Sequence, residues 1–126
     1  MARKIKIIIK NADIELEGEL FDNPTADAIW NILPIKSNVN TWGEEIYFDI
    51  PVDLKLEPDA RANVEVGEIG YWDVGKSMCI FFGRTPASKG DKPVAASPVT
   101  IFGKIIGDPK KLSAANDGDE VIVEKA

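Results

Sequence analysis

From Arg3 to Lys10 the chain alternates, with Ile5, Ile7 and Ile9 on one side and Lys4, Lys6 and Lys10 on the other, the two-residue period of a half-buried strand. Asp13 to Glu19 repeats the pattern, setting Ile14, Leu16 and Gly18 against Asp13, Glu15, Glu17 and Glu19. A two-residue turn at Asn11-Ala12 makes these a hairpin in which Lys10 faces Asp13, Lys6 faces Glu17 and Lys4 faces Glu19, so that charges and apolar faces agree together. Ala at the second turn position is poorer than Gly, which leaves a longer loop open, but a one-residue slip would cross the two faces. The acidic row then reads as a solvated face paired with the lysines rather than a catalytic cluster.

Asn23-Pro24 reads as an N-cap followed by proline in the first helical position, with Ile29, Ile32 and Leu33 at helical spacing and Pro34 ending the segment. Trp30 lies beside that stripe and is assigned to packing. From Val39 strand patterning returns, with Ile46, Phe48 and Ile50 alternating against Glu45, Tyr47 and Asp49 as far as Pro51, and with Trp42-Gly43-Glu44 read as a bulge. Leu54 to Asn63 lacks periodicity and reads as a surface connection. Val64 to Trp72, Ser77 to Phe82, Val99 to Ile106 and Glu120 to Val123 are the remaining strands, with a short helix near Pro109 to Ala115. Arg84 to Pro98, rich in Pro, Ala, Ser and Gly, is expected to be a long, mobile loop. Seven or so short strands and two short helices describe a sandwich or a barrel, between which pattern does not choose.

Composition narrows the function classes. A length of 126 residues, 44% hydrophobic and 29% charged, predicts one globular domain over residues 1–126. A single cysteine, Cys79, excludes an intramolecular disulfide and points to a reducing, cytoplasmic setting. The apolar run Ile7 to Ile9 is too short for a signal peptide, and no stretch is long enough for a membrane helix. The net charge of −6 is the wrong sign for nucleic acid. Neither nucleic acid nor membrane is therefore expected as a partner, while a homo-oligomer stays open.

With no histidine in the chain, zinc sites and histidine-activated nucleophiles in their usual forms are excluded. Asp117-Gly118-Asp119-Glu120 lacks the spacing of a calcium loop and reads as a turn, and Gly67, Gly70 and Gly75 do not match a phosphate-binding loop. Cys79, between Met78 and Ile80, reads as a buried inert thiol. No metal and no cofactor is expected.

Two segments are more specific. Asn40-Thr41-Trp42-Gly43-Glu44-Glu45-Ile46-Tyr47-Phe48 and Gly67-Glu68-Ile69-Gly70-Tyr71-Trp72, followed by Gly75-Lys76, together with Cys79-Ile80-Phe81-Phe82-Gly83, resemble signatures of the small cyclophilin-like family of bacteria and archaea. Val99-Thr100-Ile101-Phe102-Gly103-Lys104-Ile105 is similar to the Val-Phe-Gly-Lys-Val strand of true cyclophilins. The resemblance covers roughly residues 1 to 125. It implies a mainly β fold, a closed, mostly antiparallel cyclophilin-like barrel of about eight strands capped by one or two short helices.

True cyclophilins are prolyl isomerases, and their site does not carry over. The match puts Met78 and Ile80 where a glutamine and a phenylalanine meet the substrate, Pro98 and Val99 stand in the region of a histidine, and the Phe-His-Arg segment with the essential arginine is absent. Of the three arginines, Arg3, Arg61 and Arg84, the last is the best substitute because it follows a barrel strand. The resemblance clusters Trp42, Glu44, Tyr47, Tyr71, Trp72 and Arg84, residue types suited to a pocket for a peptide or a small polar ligand. Trp42 and Trp72 filling the barrel end is the structural alternative. Two functions follow: a binding module for a peptide or small-molecule ligand, without the usual isomerase site, or a peptidyl-prolyl cis-trans isomerase whose altered site uses Arg84 as the catalytic donor.

Overall fold

The computed structural model describes residues 3–126. The first hairpin pairs β1 (Arg3–Ile9) with β2 (Ile14–Leu20) in the register the charges dictate, Lys4 opposite Glu19 and Lys6 opposite Glu17. Its connection is a 3-10 turn, Lys10–Ala12, closed by the Asp13 N–H donating to the Lys10 carbonyl at 3.0 Å, with Asp13 at φ 55°. That left-handed residue lets a turn without glycine keep the register. Ile5, Ile7, Ile9, Ile14 and Leu16 are buried as the alternation requires. The facing Lys and Glu side chains form no ion pair within 4 Å among the described residues, because exposed charges there are as well served by water.

Helix α1 (Pro24–Asn31) begins as its cap predicts, the Asn23 side chain accepting from the Ala26 N–H at 2.8 Å, and it buries Ile29. Trp30 stays half-buried against the core, with the Lys125 ammonium 4.6 Å and the Arg3 guanidinium 5.8 Å from its ring centre.

The remaining strands are β3 (Ile35–Asn38), β4 (Asn40–Thr41), β5 (Glu45–Asp49), β6 (Arg61–Asn63), β7 (Glu68–Trp72), β8 (Ser77–Phe81), β9 (Val94–Ile106) and β10 (Glu120–Lys125). A second 3-10 helix, Pro109–Ala114, follows β9. All pairings are antiparallel, in the order β3-β10-β1-β2-β9-β7-β8-β5-β4, with β6 on the first part of β9. The described residues thus form ten strands rather than about eight, and the hydrogen-bond ladder is open: its end strands β3 and β4 do not pair. They are, however, joined by Val39 alone, so the two edges of the sheet are neighbours along the chain. Ile5, Ile7, Phe48, Ile69, Tyr71, Met78, Ile80 and Phe102 fill the main core.

Three local expectations change. Trp42-Gly43-Glu44 is the tight turn between β4 and β5, not a bulge, closed by the Trp42 N–H on the Glu45 carbonyl at 3.0 Å, with Gly43 at φ 61°. A Cβ at Gly43 would come within 2.9 Å of the Arg84 carbonyl, so glycine also admits the neighbouring chain. The segment Leu54 to Asn63 ends in strand β6. Arg84 to Pro98 is not loop throughout, since β9 begins at Val94, and its turn is tied internally by Thr85, whose hydroxyl donates to the Val94 carbonyl, and by Ser88, whose hydroxyl donates to the Lys92 carbonyl at 2.8 Å. No described helix is long and apolar enough to cross a membrane.

Candidate functional site

Strand β8 reads Ser-Met-Cys-Ile-Phe and is buried at every position. Met78 and Ile80 point into the main core. Cys79 and Phe81 belong to a second apolar cluster with Val64, Ala95 and Val99, packed beneath Tyr47, Trp72 and Ile101. That second layer exists because β9 is long and bends. Its later half pairs with β7 and β2, while Val94 to Val99 leaves them to pair with β6 and lies over the outer face of β7, β8 and β5. Gly70 makes the approach possible: a Cβ there would stand 2.9 Å from Val99 Cγ2. Arg61 holds β6 to β7 through a two-pronged contact with Glu68, at 3.0 and 2.8 Å.

Between this arm and the sheet lies a cleft of about 140 Å³. Strand parity decides what lines it. Glu45 and Tyr47 on β5, Cys79 on β8 and Trp72 on β7 share the outer face, Trp42 enters from the turn before β5, and the arm supplies Ala95, Ala96 and Val99. Trp72 is fixed as a wall, its indole N–H donating to the Ser97 hydroxyl at 2.7 Å and its ring meeting Tyr47 edge-on at 5.9 Å between centres.

Of the six residues expected to form a pocket, Trp42, Tyr47 and Trp72 therefore come together, and three do not join them. Tyr71, one step from Trp72, faces the other way into the main core, where its hydroxyl donates to the Val52 carbonyl at 3.0 Å and accepts from the Leu54 N–H at 3.1 Å. Glu44 turns outward to Lys110 at 3.3 Å and accepts from the Arg84 N–H at 3.3 Å. Arg84 is exposed outside the cleft, its guanidinium donating to the Ser88 carbonyl at 3.5 Å. Met78 and Ile80, matched to ligand-facing positions of true cyclophilins, are sealed in the core at 0% exposure. The β8 side chain reaching the cleft is that of Cys79, since neighbouring strand residues point to opposite faces.

The residue that sequence reasoning missed is Glu45. Alternation against Ile46 and Phe48 made it look solvent-facing, yet it is only 5% exposed because the β9 arm covers that face. Burial lifts its carboxyl to about 7, partly opposed by the Cys79 thiol that hydrogen-bonds to it. Burial and the Glu45 charge in turn push Cys79 well above the ordinary thiol range, which keeps it a thiol. The unbroken apolar run of β8 was the available signal: a strand buried on both faces needs a second layer, and its neighbour shares it.

Elsewhere, Asp117 belongs to a turn and accepts from the Thr41 N–H and hydroxyl at 2.7 and 2.8 Å, contacts that lower its pKa. Among the described residues, no three His, Cys, Asp or Glu side chains gather as a metal site.

A family model described as cyclophilin-like matches residues 3–124. The solution structure of the hypothetical protein AF2241 from Archaeoglobus fulgidus is similar in fold with a TM-score of 0.81, at 38% sequence identity, over 99% of this chain and 95% of that one. No curated protein shows significant similarity to the chain.

Proposed function

The chain belongs to the cyclophilin-like family, and on that premise we propose that it is a ligand-binding module that holds a peptide segment or small molecule without performing isomerase chemistry. The carrying observation is the cleft itself: three aromatic side chains around a solvent-reachable space, with one buried carboxyl in its lining. Apolar walls with a few fixed polar groups are the usual make-up of a small-ligand site. We also read the wrapped sheet as a barrel whose seam lies at Val39, with β3 packed against β5 there.

The altered-isomerase alternative needs a donor to the prolyl nitrogen inside an apolar pocket. Arg84 lies outside the cleft, and among the described residues no Lys or Arg lines it, so the binding reading is preferred.

The test is chemical-shift mapping with short peptides and small polar fragments. Binding should move signals of Tyr47, Trp72, Cys79 and Val99 together, and shifts gathered elsewhere would overturn the proposal. Trp72→Ala should weaken such binding by more than about 1 kcal/mol, the scatter of surface substitutions, whereas Glu17→Ala on the hairpin should not. A melting curve taken beside it separates lost binding from lost packing.

A further inference from the structure

The aromatic walls and the buried acid in the lining of the cleft select a charge. A cation over the face of Trp or Tyr is attracted by the negative face of the ring, and a buried carboxylate without a cationic neighbour lacks the partner that would compensate its desolvation. We propose that the cleft takes the alkylammonium group of an organic cation, walled by Trp42, Tyr47 and Trp72 and countered by the Glu45 carboxylate. This rests on the ligand-binding reading above and names its ligand class.

The surroundings agree. Among the described residues, no Lys or Arg lines the cleft to occupy Glu45 already. An anionic ligand would face the acid unpaired, and a neutral apolar one would leave the carboxyl buried with no charge to meet. The net charge of −6 favours the approach of cations to the molecule as a whole. Size is also suitable: an apolar cavity of about 150 Å³ accepts benzene, so a space of about 140 Å³ takes one compact group rather than a peptide strand.

Occupancy then depends on pH. The titratable groups facing Glu45 within the cleft are Cys79 from β8 and Tyr47 from its own strand, while β7 presents Trp72 and the β9 arm presents Ala95, Ala96 and Val99, which do not titrate. The free protein holds the Glu45 carboxyl at about 7, and the bound cation requires it ionised. Affinity therefore falls with the ionised fraction, by about tenfold between about pH 8 and about pH 6, and binding in that range releases a proton.

The experiment compares choline with dimethylbutanol, its uncharged analogue in which carbon replaces nitrogen, by calorimetry and tryptophan fluorescence, alongside a peptide bearing trimethyl-lysine. Choline or the peptide should bind more than tenfold tighter than dimethylbutanol at the higher pH and lose about tenfold at the lower. Glu45→Gln should remove the pH dependence and reduce the preference for charge to what the aromatic walls alone supply. Should that variant not fold, Trp42→Leu, at the half-buried rim, should weaken the cations more than the alcohol. Tighter binding of choline assigns the site to free cations, and tighter binding of the peptide assigns it to a lysine side chain. Equal binding of choline and dimethylbutanol at Trp72, or cation binding indifferent to pH, overturns the inference and leaves the ligand-binding reading standing. Failure of every peptide and fragment to perturb the cleft overturns both.

Discussion

Burial lifts the Glu45 carboxyl from 4.5 to about 7, so between those values the folded protein holds a proton that the unfolded chain has released. Stability linked to this group is complete below about 4.5, declines as pH rises towards 7 and is lost above it, because the native state binds more protons throughout the window. At about 1.4 kcal/mol per unit, a shift from 4.5 to about 7 makes the loss roughly 3–4 kcal/mol. Glu45→Gln should accordingly flatten the pH dependence of urea unfolding across this range and raise stability at about pH 8, and a variant that keeps the wild-type slope would show that another group titrates there. At this scale, three of the four aromatic residues singled out from the sequence line the cleft, and the acid beside them is Glu45 rather than Glu44. Trp42, Tyr47 and Trp72 were legible because a cluster of Trp and Tyr in a matching motif is conspicuous. The choice of Glu44 over Glu45, and of Tyr71 as well as Trp72, turned on strand parity and on which face a distant segment would cover, which neighbouring residues do not report.

Local elements were read closely and covering elements were not. The β1–β2 hairpin carries its own evidence, since alternation, opposite charges and a short turn specify one register, and the observed pairing of Lys6 with Glu17 is that register. Lys6→Glu should cost at most about 1 kcal/mol, since the facing side chains are solvated, and a larger loss of melting stability would mean that the charge row carries more of the fold than its geometry indicates. Strand β6 reads Arg-Ala-Asn, and the start of β9 reads Val-Ala-Ala-Ser-Pro, neither with the alternation or bulk of an ordinary strand. They form strands because they pair with each other, and partners 31 to 38 residues apart leave no local period. The arm they make depends on Gly70. Gly70→Ala places a methyl group against the buried Val99 side chain, and overpacking of this kind costs about 1–3 kcal/mol. Its signature should be shifted signals from Val99, Ala95 and Trp72 with the β1–β2 hairpin unchanged, whereas uniform shifts would place the strain in the main core.

At the scale of the whole molecule, family membership and antiparallel β character were legible from four motif segments, whereas the open ladder joined at Val39 was not, because hydrogen-bond closure depends on how two edge strands meet. The same scale decides whether the fold carries isomerase chemistry. Rotation about an Xaa-Pro bond faces a barrier of about 18–20 kcal/mol, and an enzyme lowers it by offering a donor to the prolyl nitrogen in a dry pocket. Here the two positions matched to the substrate-facing glutamine and phenylalanine are core residues, Met78 and Ile80, and the remaining arginine nearby, Arg84, is bound to the Ser88 carbonyl outside the cleft. Loss of one transition-state donor typically costs about 2.7–4 kcal/mol, or about a hundredfold to a thousandfold in rate. Micromolar protein should therefore leave the exchange of short Xaa-Pro peptides, which takes tens to hundreds of seconds unaided, within about tenfold of its spontaneous rate in an NMR exchange assay. Faster exchange that disappears in Arg84→Ala would mean that the guanidinium leaves Ser88 to reach a substrate, and the isomerase reading would then replace the binding module.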